Sequence, residues 1–488
     1  MDAIRIVFSL ALPWALGAAL LAVLPRRTLA EGPAGDAPWI LGVGYLLGAF
    51  GLTLWMRLLS SAGLRFGVAN VAIPVLVLAA GLAAFAWHKA GRPRRSALAT
   101  RVRAGIVPRF DASTTRVVWW SLVTWMLLRF ALLAVEVTLR PLYPWDAWIQ
   151  WATKARVWFE LRTLAPFGAA TAWFGAPGSV YFDASPYYPP TIPLLQVWTS
   201  LTLGRWDDAL MNWPWWQMLL ALVLLVYGGL RSLDASRLTA LAGAFMVATL
   251  PLVDTHVALA GYADLPMAAF YTAAAIAVLR WTRSRGRIDA GIALVLALAC
   301  TQVKNPGLPW ALTLVPAVIV TLMPRRGART VAYLFGGALL LVAILAQTHP
   351  VVLHYRLHLD FDPAWSALAK SYFLLGNWHL LWYGVIAAAV LARRDLLASP
   401  LIALTVTIAA GLLFLFIVFG FTNARDWVAD QTSINRATLH FAPLAVVFGV
   451  LAFQAFARRW NARYAVPHSP PSEAADRAAP AVPDAPAS

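Results

Sequence analysis

The sequence predicts an all-α membrane protein that crosses the bilayer about 13 times. Hydrophobic residues make up 60% of the 488 residues and charged residues only 12%, about half the charged fraction of a soluble domain. The apolar residues fall in blocks of roughly 20, the helical length that crosses the hydrocarbon core. Tryptophan is frequent, at 24 residues, and it gathers near the ends of those blocks, where amphipathic rings meet the interface.

The spans are predicted in order along the chain. The apolar run 6–24 is too long for a signal-peptide core and is followed by Arg26 and Arg27, so we interpret it as a retained first helix. The predicted spans lie roughly at 4–24, 38–58, 69–87, 117–138, 209–230, 238–254, 265–281, 289–303, 307–323, 330–348, 371–392, 400–421 and 437–457.

The net charge of +17 does not indicate nucleic-acid binding, because the arginines sit in short clusters between apolar blocks. This is the positive-inside pattern, with some affinity for anionic membrane lipid added. It assigns the loops 88–116, 231–237, 282–288, 324–329 and 393–399 to the cytoplasm. The opposite face then receives 139–208, 254–264, 304–306, 349–370 and 422–436. The short apolar segment 191–204 is predicted to be re-entrant or to lie at the interface. If it spans the membrane instead, the orientation of every helix before it is reversed.

Four regions follow from this pattern. Residues 1–116 form N-terminal transmembrane helices and a basic cytoplasmic loop, and 117–350 form a catalytic transmembrane module that includes the outer loop 139–208. Residues 351–460 supply C-terminal transmembrane helices, and the Pro/Ala-rich tail 461–488 is predicted to be disordered. Within the outer loop, 146–162 is predicted as a helix lying on the membrane, with Trp148, Trp151, Ala155 and Trp158 on one side.

The most informative motif is Tyr-Pro-Trp-Asp-Ala-Trp at 143–148. An acid at the outer end of a helix and boxed by Trp145 and Trp148 is partly shielded from water, which favours its action as a general base. Aromatic rings also suit the C–H faces of sugars. The alternative is an interfacial aromatic belt around a solvated Asp146.

Other polar groups crowd the same face. Tyr188 begins a Tyr-Pro-Pro stretch, and Asp264 lies in Gly-Tyr-Ala-Asp-Leu-Pro at 261–266, where the local pattern favours an ordinary N-cap. Lys304 is costly at that depth unless it finds an anion or snorkels to the interface. The cationic group of Arg425, Arg436 and His440 breaks the positive-inside rule mildly, which indicates a phosphate to be bound.

The remaining motifs argue against a metal site and against nucleotide-driven functions. His354 and His358 have the spacing of a metal pair but no acidic partner. No phosphate-binding loop, dinucleotide fingerprint or nucleophile elbow is present, so an ATP-driven pump is disfavoured.

In this order, the motifs over 117–457 resemble the GT-C class of polytopic glycosyltransferases, especially the bacterial branch of protein mannosyltransferases and the lipid A aminoarabinose transferase. That class has a catalytic Asp in the first large outer loop, here Asp146, then a Tyr-Pro-Pro helix start and a Gly-Tyr-Ala-Asp-Leu-Pro stretch. A lysine turn at 304–307 and an arginine before the last helix complete the set. Two departures are Ala147, where many relatives have a second acid, and three additional N-terminal helices.

The resemblance implies transfer of a sugar, with inversion, from a polyprenyl-phosphate donor to a hydroxyl of a lipid, glycan or protein acceptor. The site would face the periplasm, in the inner membrane of a bacterial cell envelope. Asp146 would accept or orient the acceptor proton, and Lys304, Arg436 and Arg425 would neutralise the leaving phosphate. Asp264 would position substrate hydroxyls, with Trp145, Trp148, Tyr188, Tyr262 and His440 also in the substrate site. No cofactor is required, although the outer-face acids leave room for a divalent metal ion.

Two other functions stay open on the sequence. A polymerase or ligase of lipid-diphosphate oligosaccharides would share the large outer loops and the phosphate-binding arginines. A lipid or solute transporter would usually place its polar residues near the midplane, in two related halves.

Overall fold

The computed structural model of the chain describes residues 1–24, 36–89, 112–175, 178–349, 351–352, 355–356 and 359–464. Most of the predicted basic loop 88–116, His354, His358 and most of the predicted disordered tail lie outside these residues. The described chain is helical, apart from two pairs of two-residue strands. The predicted all-α class is therefore confirmed for the described residues.

The N-terminal half is made of long helices around a mixed loop. Its helices are α1 (Asp2–Ala22), α2 (Asp36–Ser61), α3 (Val68–Lys89), α4 (Ser113–Leu139), α5 (Ala152–Leu161), α6 (Ala170–Gly175), α7 (Thr191–Leu203), α8 (Trp213–Ser232), α9 (Arg237–Ala248) and α10 (Pro251–Ala258). A π-helix (Ala147–Trp151) leads into α5, and a 3-10 turn (Leu210–Asn212) leads into α8. Strands β1 (Phe167–Gly168) and β2 (Tyr181–Phe182) pair in parallel.

The C-terminal half contains more short helices. They are α11 (Asp264–Ser284), α12 (Arg287–Val303), α13 (Gly307–Leu312), α14 (Val315–Leu322), α15 (Gly327–Thr348), α16 (Trp365–Ala369), α17 (Leu381–Leu391), α18 (Ile402–Phe421), α19 (Asp426–Ala429), α20 (Ser433–Leu439) and α21 (Ala442–Tyr464). A π-helix (Lys370–Leu374) continues α16, and a 3-10 turn (Asn423–Arg425) precedes α19. Strands β3 (Val351–Val352) and β4 (Tyr355–Arg356) are antiparallel. Because α21 runs to Tyr464, the first residues of the predicted tail are helical.

Nine helices in the described chain are long and apolar enough to cross a membrane, namely α1, α2, α3, α4, α8, α11, α15, α18 and α21. The number becomes ten if α9 and α10, which meet at a 55° bend, form one span. A multi-pass membrane protein is thus supported, whereas 13 spans are not confirmed.

Prolines explain part of the difference. The predicted span 238–254 breaks where Pro251 starts α10, and 307–323 divides into α13 and α14, with Pro316 in the first turn of α14. Proline lacks an N–H and fits the first turn of a helix far better than its interior. In the predicted span 371–392, the π-helix (Lys370–Leu374) ends before the 11-residue α17 begins, so no single helix covers the span.

Helix α11 is the central element. Over an apolar stretch of 18 residues, 83% of the residues of α11 are buried inside the protein, against 6% for α15. It contacts α2, α8, α10, α12, α13, α14, α18, α20 and α21. An acid at the start of α11 is therefore surrounded by protein.

Helix α7 occupies the segment whose placement the sequence left open. All 13 of its residues are buried, and it contacts α1, α2, α5 and α8. The segment is therefore packed inside the protein, with no face left for lipid headgroups, and its depth in the bilayer stays a prediction.

The predicted helix over 146–162 is present, but its aromatic face packs on protein. Trp151, Ala155 and Trp158 are buried, and α5 contacts α7. Trp148 is 45% exposed, because the wider π-helical turn takes it off the stripe of the following α-helix.

Ion pairs and hydrogen bonds define two ends of the bundle. At the site end, Asp146, Asp264, Lys304 and Arg436 meet, which joins four segments predicted to lie on the outer face. At the arginine end, Asp234 pairs with Arg283 and its carbonyl accepts from Arg458, while Arg459 pairs with Asp395. These groups come from predicted cytoplasmic loops and the last turns of α21. Which end faces the periplasm stays a prediction.

Candidate functional site

Asp264 is the centre of the site end. Its side chain is 0% exposed, and both carboxylate oxygens accept hydrogen bonds from side chains far away in the chain. Oδ1 accepts from Lys304 Nζ at 2.5 Å and from His440 Nε2 at 2.9 Å, and Oδ2 accepts from Arg436 Nε at 3.0 Å. The N-cap of α11 is Ala263, without a side-chain cap bond. The local N-cap interpretation of Asp264 is therefore wrong.

Arg436 connects the two acids. Its Nη1 lies 2.6 Å from Asp146 Oδ2, while its Nε binds Asp264, and its guanidinium carbon lies 4.4 Å from the centre of the Tyr262 ring. Burial disfavours the charged guanidinium, but Asp264 and Asp146 outweigh it and raise the pKa of Arg436. Arg436 therefore stays charged and fixes the separation of the two carboxylates.

His440 completes the cluster as a neutral group. Burial lowers the pKa of His440 to about 4, against the opposing hydrogen bond to Asp264. A neutral ring that donates from Nε2 fits the contact with Asp264 Oδ1. The cluster thus holds two cations, Lys304 and Arg436, and two carboxylates, and its formal charges cancel.

Gly261 allows the outer loop to approach α11. Its φ is +116°, and a Cβ there would lie 2.6 Å from Ala147 Cβ and 2.9 Å from Leu142 Cδ1. Only glycine fits this conformation and spacing. The loop that carries Asp146 consequently packs directly on the chain that leads to Asp264.

Gly307 plays the corresponding role for Lys304. A Cβ at Gly307 would lie 1.9 Å from the carbonyl oxygen of Cys300, so glycine lets α13 start against the end of α12. The Gly307 N–H also donates to the Lys304 carbonyl at 2.8 Å. This tight turn directs Lys304 inward, where it is buried.

The aromatic residues predicted for the substrate site occupy two environments. Tyr188 packs against Trp151 with ring centres 4.9 Å apart, and Tyr262 lies under Arg436. Burial raises the pKa values of both phenols. Trp145 and Trp148 form an edge-to-face pair at 4.9 Å and are 61% and 45% exposed. They flank Asp146 in sequence without enclosing it, and the Asp146 side chain is 26% exposed.

Arg425 is not part of this cluster. Its Nη1 donates to the Asp360 carbonyl at 3.0 Å, and its Nε lies 3.8 Å from Asp362. Of the three residues predicted to neutralise a phosphate, only Lys304 and Arg436 lie in the cluster.

Within the described residues, no group of three or more His, Cys, Asp or Glu side chains is arranged to hold a metal ion. The sequence allowed a divalent metal ion between the outer-face acids. In the structure the Arg436 guanidinium lies between the carboxylates of Asp146 and Asp264 and pairs with both.

Sequence reasoning missed a second buried ion pair nearby. Lys154 Nζ lies 3.1 Å from Asp183 Oδ2 and donates to the Ser185 carbonyl at 3.0 Å. This pair ties α5 to the segment that leads to Tyr188. A signal was available, because Lys154 lies three residues after Trp151 and four before Trp158 on an otherwise aromatic face.

No protein-family model matches this chain, and no match was found among curated proteins or solved structures.

Proposed function

We propose that this protein is a membrane glycosyltransferase that moves a sugar from a polyprenyl-phosphate donor to an acceptor hydroxyl, with inversion at the anomeric carbon. The observation that carries the proposal is the cluster of Asp146, Asp264, Lys304, Arg436 and His440 at one end of the bundle. It combines a partly exposed carboxylate with two cations, the groups needed for a base and for stabilising a leaving phosphate. The proposal places this end at the periplasmic face of a bacterial inner membrane.

The proposed step uses the two kinds of group differently. The acceptor oxygen attacks the anomeric carbon while Asp146 takes its proton, and the bond from that carbon to the phosphate oxygen breaks. The electron pair leaves with the polyprenyl phosphate, whose negative charge is stabilised by Lys304 and Arg436. Asp264 has no exposed surface and three donors, so its role is to position Lys304, Arg436 and His440 and not to contact substrate.

Donor binding would change the partner of Arg436. In the structure Arg436 binds Asp146, so a donor phosphate competes with that carboxylate for the guanidinium. When the phosphate takes over the guanidinium, Asp146 is released to accept the acceptor proton. The resting ion pair thereby keeps the base occupied until the donor is bound.

An apolar groove beside the cluster supports a lipid-linked donor. Its cavity is about 450 Å³ and lies between α16, α17, α18 and α21. Ile434 and Phe441 line it, and these two residues flank Arg436 and His440 in sequence. Tyr372, the polar wall residue, has its hydroxyl bonded to Thr438 at 2.7 Å. An isoprenoid chain in this groove would place its phosphate beside Arg436.

The test uses purified protein in nanodiscs with a panel of polyprenyl-phosphate sugars. We expect at least one donor to stabilise both wild type and Asp146→Asn against heat, with transfer only in the wild type. Asp362→Asn is the matched control, because Asp362 lies in another predicted outer loop and is 77% exposed; it should keep full transfer.

Three outcomes would overturn the proposal. Sugar transfer that survives in Asp146→Asn would show that Asp146 is not the base. Turnover of lipid-diphosphate oligosaccharides alone favours the polymerase or ligase, and a lack of response to both panels favours a transporter.

A further inference from the structure

Arg57 lies near the end of α2, in the N-terminal helices that the family resemblance does not cover. Its Nη1 donates to Gln302 Oε1 at 2.8 Å and its Nη2 to Thr191 Oγ1 at 2.5 Å. Both acceptors are neutral. The buried Nε has no hydrogen-bond partner, and no carboxylate in the described part of the chain lies within ion-pair distance of this guanidinium.

An uncompensated cation in a membrane helix is costly, and such residues usually serve a ligand or an ion pathway. Two arginines inside other helices do have acids, since Arg129 in α4 pairs with Asp254 and Arg280 in α11 pairs with Asp289. Arg57 differs from these two arginines, because its partners Gln302 and Thr191 are neutral. A neutral donor could bind both partners, so helix packing does not explain why this residue is charged.

Both partners of Arg57 lie close in sequence to residues of the candidate site. Gln302 precedes Lys304 by two residues, so their Cα atoms are at most roughly 7 Å apart. Thr191, the other partner, follows Tyr188 by three residues. Arg57 itself has no charged partner among the described residues, so its positive charge is available to an anion that approaches between α2 and α12.

The surface around Arg57 is apolar. Leu54 and Leu58 on α2 and Leu298 on α12 are exposed, at positions next to Arg57 and Gln302 along their helices. In a bilayer these side chains face lipid. A lipid whose chains lie against them brings its headgroup to Arg57.

We propose that Arg57 binds the phosphate of a membrane lipid that reaches the site between α2 and α12. This path uses different helices from the apolar groove of α16, α17, α18 and α21. The phosphate belongs to the polyprenyl carrier or to a phosphorylated second lipid that serves as acceptor. Only the identification of this lipid as a substrate rests on the proposed function.

The experiment measures thermal stabilisation of purified protein in detergent by four probes: polyprenyl phosphate, phosphatidic acid, polyprenol and inorganic phosphate. We compare wild type with Arg57→Gln, Arg57→Lys and the control Arg65→Gln, which changes an exposed arginine beyond the end of α2. Loss of a charge-assisted contact should weaken apparent lipid-phosphate binding about tenfold or more in Arg57→Gln. Arg57→Lys should lie between wild type and Arg57→Gln, since lysine keeps the charge but not the planar fork, and Arg65→Gln should match wild type.

The probes separate the two sources. A loss confined to polyprenyl phosphate assigns Arg57 to the carrier, and a loss confined to phosphatidic acid assigns it to a second lipid. Equal responses of wild type and both Arg57 variants to these lipids would overturn the proposal, as would stabilisation by polyprenol or inorganic phosphate equal to that by the lipid phosphates. If Arg57→Gln does not fold, Arg57→Lys carries the same comparison. No probe requires sugar transfer, so failure of the glycosyltransferase proposal would leave this result standing.

Discussion

The two ends of the bundle use the same residue types in opposite ways. At the site end the Asp264 carboxylate is fully buried and bonded to Lys304, Arg436 and His440. At the arginine end the Asp234 side chain is 59% exposed and its partner Arg283 is 29% exposed. Ion pairs in water contribute little, whereas a buried charge that loses its partner is strongly destabilising. The two ends are therefore distinguished by how deeply their charged groups are buried, and not by which residue types they contain.

Removal of the Asp264 charge should give the largest effect. Asp264→Asn leaves Lys304 and Arg436 buried without their shared anion, and we expect a loss of about 3–5 kcal/mol in the free energy of unfolding. Denaturant unfolding in detergent measures it. A loss below about 1 kcal/mol would show that the cluster is solvated like a surface pair.

Acid should act on the site end through His440. Its pKa is about 4 in the fold against an ordinary value of 6.5, so between these values the unfolded chain binds the proton and the fold does not. Stability is then fully present above about pH 6.5 and falls by up to about 3 kcal/mol as the pH drops towards 4. Unfolding measured across this range should show a slope that His440→Gln reduces. An unchanged slope in the variant would assign the acid sensitivity to other groups.

Gly261 tests the contact between the two acidic segments. Gly261→Ala should cost about 1–3 kcal/mol, because the added methyl group overlaps Ala147 and the φ is left-handed. It should also reduce transfer by displacing Asp146. Gly178→Ala is the matched control, since Gly178 has a φ of +82° but no atom of the described residues within 4 Å of the added Cβ. Equal losses in the two variants would attribute the effect to backbone strain alone.

The smallest effect belongs to the arginine end. Asp234→Asn should change the free energy of unfolding by about 1 kcal/mol or less, and added salt should diminish the difference. The comparison is made by unfolding wild type and variant at low and high ionic strength. A salt-insensitive loss as large as that of Asp264→Asn would remove the distinction between the two ends.

The sequence predicted the helical membrane class because apolar block length and tryptophan placement are local signals. It also predicted that Asp264, Lys304 and Arg436 lie on the same face of the membrane, because successive loops alternate between the two faces. It did not predict that Asp264 binds both cations. That contact joins α11, the turn after α12 and α20, and no spacing along the chain encodes it.

Other features were missed for different physical reasons. Thirteen spans are not confirmed, in part because prolines divide two apolar runs, 238–254 and 307–323, that look continuous by hydropathy. Arg57 gave no motif, because its importance lies in the absence of an acid near its side chain. The π-helix that exposes Trp148 likewise has no distinct signature in a helical aromatic pattern.

The exchange of Arg436 between Asp146 and a donor phosphate is the central step of the proposed mechanism. The most direct measurement is the affinity of polyprenyl phosphate, which has no sugar to transfer, for wild type and Asp146→Asn. We predict tighter binding to Asp146→Asn, because Arg436 no longer gives up a carboxylate to meet the phosphate, together with complete loss of transfer from the sugar-bearing donor. Weaker or unchanged binding to Asp146→Asn would contradict the exchange.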